Sequence, residues 1–242
     1  MSTAAGGDPA RPVRTDVPDA ATALVVREGG AGVELMVMGP RTQAAYFAVK
    51  RVPFCVKLRM RPGWAWALLG VPPRGLVDRA VPLSDLWGAA GDRLARDLSD
   101  VGPDPTAVAV RLEEALRLQV STRPRHDLAR GELVNSAATA LTSPALPASR
   151  QVRTTAERLN ISERHLRNLF TDAVGIPPKH VARIERLRRV LTGASQRSWT
   201  HLAAEAGYYD QSHMTAEFRR MMGVPPGAFI TGQLPAATPC HE

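Results

Sequence analysis

The sequence predicts an α+β protein in two parts, a small, mostly antiparallel sheet domain with helices, followed by an all-α domain. Three observations predict it. Short apolar runs with glycine and proline between them occur from residue 23 to residue 60. Helical spacing of apolar residues dominates after them. From residue 150 onward one helical unit occurs twice, with a helix between the copies.

Residues 1–16 are rich in Ala, Gly, Pro and Arg without a period, which predicts a loose tail. Strand character follows at residues 23–26, 33–38, 45–49 and 54–60, with Gly29-Gly30 and Gly39-Pro40 supplying turns. In the last run Phe54, Val56, Leu58 and Met60 share one face, opposite Cys55, Lys57 and Arg59. Pro62-Gly63 closes the strand region. Short helical spacing at 65–69 ends at Pro72-Pro73. One helix is expected over 83–98, another over 106–120 with Val108, Leu112, Leu116 and Val120 in a stripe, and a third over 127–141. Residues 17–141 therefore form the expected first domain, 142–149 a linker, 150–232 the second domain and 233–242 a second loose tail.

The chain has 242 residues and 26.1 kDa, with 44% hydrophobic residues, enough for a packed core. Its formal charge of +8 and pI near 10.4 favour polyanionic partners, and the basic excess is densest after residue 150. Cys55 and Cys240 are far apart and no C-x-x-C occurs, which argues against a disulfide scaffold or a cysteine zinc site. His126, His165, His180, His201, His213 and His241 show no metal-ligand spacing, so no metal site and no cofactor are expected. The N-terminus lacks the apolar run of a signal peptide, and the apolar stretch at 64–71 falls short of the ~20 residues of a membrane span. A cytoplasmic protein without membrane contact is the expectation.

The repeat is specific. Val152, Ala156 and Leu159 recur at the same spacing as Trp199, Ala203 and Ala206. Leu166, Phe170 and Gly175-Ile176-Pro177-Pro178 recur as Met214, Phe218 and Gly223-Val224-Pro225-Pro226, displaced by one further residue. In each copy a short helix, a turn and a capped second helix make a helix-turn-helix, whose second helix enters the major groove of DNA. Ser162 is the expected cap of the first recognition helix and Asp210 of the second. The first exposes Arg164, Arg167 and Asn168, residue types that read guanine and adenine edges bidentately. The second offers Gln211, Ser212 and Thr215 for base contacts, on a nearly uncharged face. The intervening helix carries Lys179, Arg183, Arg186 and Arg189, which in this setting read as phosphate contacts; Arg186→Ala is expected to lower the salt slope of DNA binding by about 1. Two readers joined by a rigid helix would lie about 34 Å apart, one turn of DNA.

Residues 156–191 (AERLNISERHLRNLFTDAVGIPPKHVARIERLRRVL) and 202–230 (LAAEAGYYDQSHMTAEFRRMMGVPPGAFI) resemble the DNA-binding domain of the AraC/XylS family of bacterial transcription regulators. The resemblance implies a seven-helix, double helix-turn-helix domain that binds double-stranded promoter DNA, with RNA polymerase as a further partner. It carries the base-facing positions onto Arg164, Arg167 and Asn168, and onto Gln211, Ser212, Thr215 and Ala216. Thr155 departs from the usual leucine, and Ala216 from a frequent arginine. Residues 58–88 (LRMRPGWAWALLGVPPRGLVDRAVPLSDLWG) are similar to the N-terminal region of a group of actinobacterial AraC-like proteins. That likeness implies a regulatory or dimerising domain with a cupin-like sheet, here short enough to form only a partial barrel. Partners implied with it are a small-molecule effector and a second copy of the chain.

Trp64 and Trp66, as alternate aromatics, could share a face with Arg59 nearby and line an effector pocket; core packing is the competing reading. No Ser-His-Asp order, H-E-x-x-H or phosphate loop occurs, so the chain is not expected to be an enzyme. An enzyme or ligand carrier with an attached DNA-binding module is the alternative function. Its only methyl-accepting cysteine would be Cys55, which lacks a Pro-Cys-His-Arg setting. A non-DNA-binding adaptor would need an acidic or apolar recognition face, against Arg164 and Arg167.

Overall fold

The computed structural model describes residues 13–29, 32–48, 54–142 and 150–238. Of the linker expected at 142–149, residues 143–149 lie outside them and Thr142 ends a helix; residues 1–12 and 239–242 of the two tails also lie outside.

Among the described residues six strands form two antiparallel sheets. The larger has the order β5 (Cys55–Arg59), β2 (Ala23–Gly29), β3 (Gly32–Met38), β6 (Ala80–Pro82). The smaller pairs β1 (Val13–Asp16) with β4 (Ala45–Ala48). Among the described residues β5 and β6 are open edges, so the strands do not close into a barrel. Cross-strand rows set the register: Leu24 lies opposite Val37 and Leu58, and Val26 opposite Leu35 and Val56. These rows give the sheet one apolar face.

Three helices cover that face, and a 3-10 turn at Pro73–Leu76 adds Leu76 to the same core. α1 (Trp64–Leu69) contributes Leu68 and Leu69. α3 (Ala89–Val101) contributes Leu94 and Leu98, and α4 (Pro105–Ser121) contributes Val108, Leu112 and Leu116. Asp104 caps α4, its carboxylate accepting from the N–H groups of Thr106 and Ala107, with Pro105 in the first turn.

The helix expected over 83–98 is broken. α2 (Ser84–Trp87) ends at Gly88, whose φ of 55° and ψ of −136° stop one helix and start α3 in a new direction. Two short edge strands also escape the alternation argument. β1 occupies the end of the stretch expected to be a tail, and β6 consists of only three residues. Thr238, in the second expected tail, donates its N–H to the Tyr46 carbonyl at 2.8 Å.

The remaining helices build a second core. These are α5 (Arg125–Thr142), α6 (Gln151–Arg158), α7 (Glu163–Ala173), α8 (Pro178–Gly193), α9 (Trp199–Glu205), α10 (Gln211–Met222) and α11 (Pro226–Ile230). α5 lends Val134, Ala137, Ala138 and Leu141 to this core, beside Leu166 and Phe170 of α7 and Ile184 and Leu187 of α8. Phe218 packs edge-to-face on both Trp199 and Phe229. The repeat seen in sequence is also a repeat of backbone. Asn160 (φ 54°) and Gly207 (φ 78°) turn the chain between helices at equivalent positions, and Gly175 (φ 92°) and Gly223 (φ 76°) follow the second helix of each copy.

Thr155 in α6 is fully buried, and its hydroxyl has no hydrogen-bond partner among the described residues. Thr155→Val keeps the shape and removes the orphaned hydroxyl. It is expected to stabilise the protein by about 1 kcal/mol, read as a higher urea midpoint at unchanged slope. An equal or lower midpoint would contradict this account of the site.

Candidate nucleic-acid interface

α7 and α10 are built alike. The Ser162 hydroxyl accepts from the His165 N–H at 3.1 Å, and the Asp210 carboxylate accepts from the His213 N–H at 2.7 Å. Each cap starts its helix at a defined residue, so the rotational phase of the outward face is set locally. Leu166, Leu169 and Phe170 point into the core from α7; Met214, Phe218, Met221 and Met222 do so from α10.

The opposite face of α7 exposes Arg164, Arg167 and Asn168 together. Neither arginine has an ion-pair partner among the described residues, so both guanidinium forks are free. Thr171, one turn on, is half-buried and donates its hydroxyl to the Arg167 carbonyl at 2.9 Å. On α10, Gln211, Ser212, Thr215, Ala216, Arg219, Arg220 and Gly223 line an open groove. The side-chain oxygen of Gln211 accepts from the Thr200 hydroxyl of α9 at 2.7 Å, which leaves its amide hydrogens to face outward. The Gln211 amide therefore keeps both of its N–H donors and one lone pair on its oxygen for an outside partner.

Arg219 and Arg220 share this groove, although the sequence pattern alone did not single them out. Both are exposed and without an ion pair among the described residues. The signal was present: Gln211, Thr215 and Arg219 recur every four residues, as do Ser212, Ala216 and Arg220, so each arginine continues a stripe already assigned to DNA. Tyr209, just ahead of the Asp210 cap, is 92% exposed.

α8 is placed differently from the expectation. Of its four cations read as phosphate contacts, Lys179 is exposed. Arg186 is buried, its guanidinium 3.5 Å from the Glu217 carboxylate and 5.0 Å above the Tyr208 ring. Arg183 pairs with the other oxygen of Glu217 at 2.9 Å. The Tyr208 hydroxyl donates to Glu217 at 3.1 Å; burial, with the Glu217 charge beside it, pushes its pKa up and keeps the proton on. Arg189 is half-buried and donates to the Thr142 carbonyl at 3.2 Å. The reason is the position of α8 in the middle of the domain, packed against α5, α7 and α9, so that its polar faces meet other helices instead of solvent. Arg186 serves the inside of the domain.

The expected effector pocket is not assembled either. Residues two apart on a helix do not share a face, and Trp64 and Trp66 lie on α1. Trp64 packs against the N-terminal core and Gly131. Trp66 lies under the Arg130 guanidinium at 5.1 Å. Arg59 pairs with Asp19 at 2.6 Å and lies 3.9 Å from Glu185 of α8.

Residues 155–232 match the helix-turn-helix domain family. No curated protein matches the chain. Among solved structures the chain is similar to the C-terminal domain of AraT, a response regulator from Geobacillus stearothermophilus, with 20% identity over 50% of this chain and 94% of that one and a TM-score of 0.35. It is also similar to an apo variant of ToxT from Vibrio cholerae, with 10% identity over 91% of this chain and 93% of that one and a TM-score of 0.39. The unsaturated fatty acid bound wild-type ToxT gives 11% identity, 93% and 88% coverage and a TM-score of 0.40.

Proposed function

We propose that the chain is a sequence-specific transcription regulator of the AraC type, whose helix-turn-helix domain at residues 155–232 inserts α7 and α10 into successive major grooves of promoter DNA. The observation that carries this reading is the pair of equivalent capped helices, each turning a polar face outward, with the free Arg164 and Arg167 on the first. Arg164, Arg167 and Asn168 read bases. Gln211, Ser212 and Thr215 add weaker contacts, and Lys179, Arg219 and Arg220 bind phosphates.

Residues 150–232 are the reading part and residues 17–141 the regulatory or dimerising part, with α5 packed on the reader from the N-terminal side. A small-molecule effector, a second copy of the chain and RNA polymerase are the partners this reading implies. Among the described residues no helix is long and apolar enough to cross a membrane. The protein acts in the cytoplasm by binding, not by catalysis.

Fluorescence titration of duplexes over a range of salt tests the phosphate assignment. Arg219→Ala is expected to weaken binding to selected and random DNA alike and to lower the slope of log K against log salt by about 1. An unchanged slope would remove Arg219 from the interface. If the wild-type protein binds every duplex equally, the sequence-specific reading fails.

A further inference from the structure

The C-terminal ends of both recognition helices are held by the N-terminal part of the chain. The last carbonyls of a helix lack partners within it. At α10, the Ala44 N–H donates to the Met221 carbonyl at 2.7 Å, and the Tyr46 hydroxyl donates to the Met222 carbonyl at 2.5 Å. Tyr46 is buried on β4, and burial pushes its pKa up, so the hydroxyl stays a donor. At α7, Asp172 pairs with Arg130 at 2.8 Å, and the same guanidinium lies over Trp66 of α1. The chain then leaves α7 through Gly175, where an added Cβ would come within 2.9 Å of the Pro73 carbonyl group.

Between the two readers, Arg188 of α8 donates to the Pro18 carbonyl at 3.3 Å and lies 3.5 Å from Asp19. Burial opposes the charge on Asp19, but hydrogen bonds from Arg59 and the Ala21 N–H, with the charges of Arg59 and Arg188, outweigh it and hold its pKa below the ordinary value. None of these contacts involves the outward side chains of α7 or α10. Arg164, Arg167, Asn168, Gln211 and Ser212 remain exposed.

We propose that β4, the Pro73–Leu76 turn and Arg130 of α5 are positioning elements of the DNA reader, with Tyr46 the positioning residue for α10 and Arg130 that for α7. By holding the exits of α7 and α10, they set the separation and tilt of the two helices, and so the number of base pairs between the two half-sites. This rests on the reading of α7 and α10 as DNA readers. Spacing selectivity is then a property of the whole chain, because part of the device that sets it lies far ahead of the helix-turn-helix units in sequence.

The test uses the full chain and the duplex that the wild-type protein selects, with the distance between half-sites changed one base pair at a time and a random duplex at the same salt. The wild-type protein should show a sharp optimum. Tyr46→Phe removes one oxygen; it should bind the optimal spacing about fivefold more weakly, lose less at neighbouring spacings, and bind the random duplex as before. Asp172→Asn, at the other reader, should broaden the optimum in the same way. A merely stabilising role would lower the unfolding midpoint of both variants and leave the optimum as sharp as in the wild type, which would overturn the proposal. A wild-type protein that selects no sequence would instead overturn the DNA-reading assignment on which it stands.

Discussion

Glu217→Ala should destabilise the protein by about 3–5 kcal/mol, the largest effect expected of any single polar substitution here. Glu217 is only 6% exposed and answers two arginines of α8 and the Tyr208 hydroxyl at once. Removing it leaves Arg186 buried beside Arg183 with no carboxylate, and a buried charge that cannot reach water is far more costly than a lost surface pair. The Arg186 guanidinium would keep only the Tyr208 ring. The comparison that isolates the charge is a variant with Glu217→Leu, Arg183→Met and Arg186→Met together. It should recover most of the loss, since apolar side chains of similar volume need no counter-ion. Urea unfolding reads both. A loss below about 1 kcal/mol for Glu217→Ala, the range of exposed pairs, would show that the network is solvated.

Arg167→Ala is the second large effect, and it acts on recognition instead of folding. The side chain is exposed on α7, on the face away from Leu166 and Phe170, so its removal opens no cavity. A bidentate base contact contributes about 1–3 kcal/mol of discrimination. The expected result is therefore a loss of that size on the selected duplex with a much smaller loss on random DNA. The unfolding midpoint should stay near that of the wild type. Equal losses on both duplexes in a titration at fixed salt would make Arg167 a phosphate contact. The contrast with Arg186 is the practical lesson of α8. Two arginines that look alike in sequence are expected to have opposite consequences, one for DNA and one for stability.

The parts of the fold legible in the sequence were those determined locally. Ser162 and Asp210 cap where hydroxyl and carboxylate groups were expected to cap, because capping depends on residues within one turn. The paired turns at Asn160 and Gly207 follow from the repeat for the same reason. What escaped was set by residues distant in the chain. Nothing near Arg186 in sequence announces Glu217, thirty-one positions on. An arginine run on a helix shows its period, but not that α5, α7 and α9 surround it. β1 becomes a strand only because β4 lies beside it. The tryptophan pair misled through the choice of period: Trp64 and Trp66 share a face on a strand but not on α1. Arg219 and Arg220 continue the four-residue spacing of Gln211 and Ser212, but the nearly neutral start of α10 gives no sign of its basic end.

Joint reading of sequence by the two recognition helices is the core of the proposed function. Selection of genomic fragments by the purified full-length protein, followed by sequencing, tests it most directly, with Arg164→Ala and Arg167→Ala beside the wild type. The account predicts one shared motif extending over two successive major grooves, with the positions under α7 the most constrained and lost in both variants. Fragments without a common motif, recovered equally by wild type and variants, would contradict it.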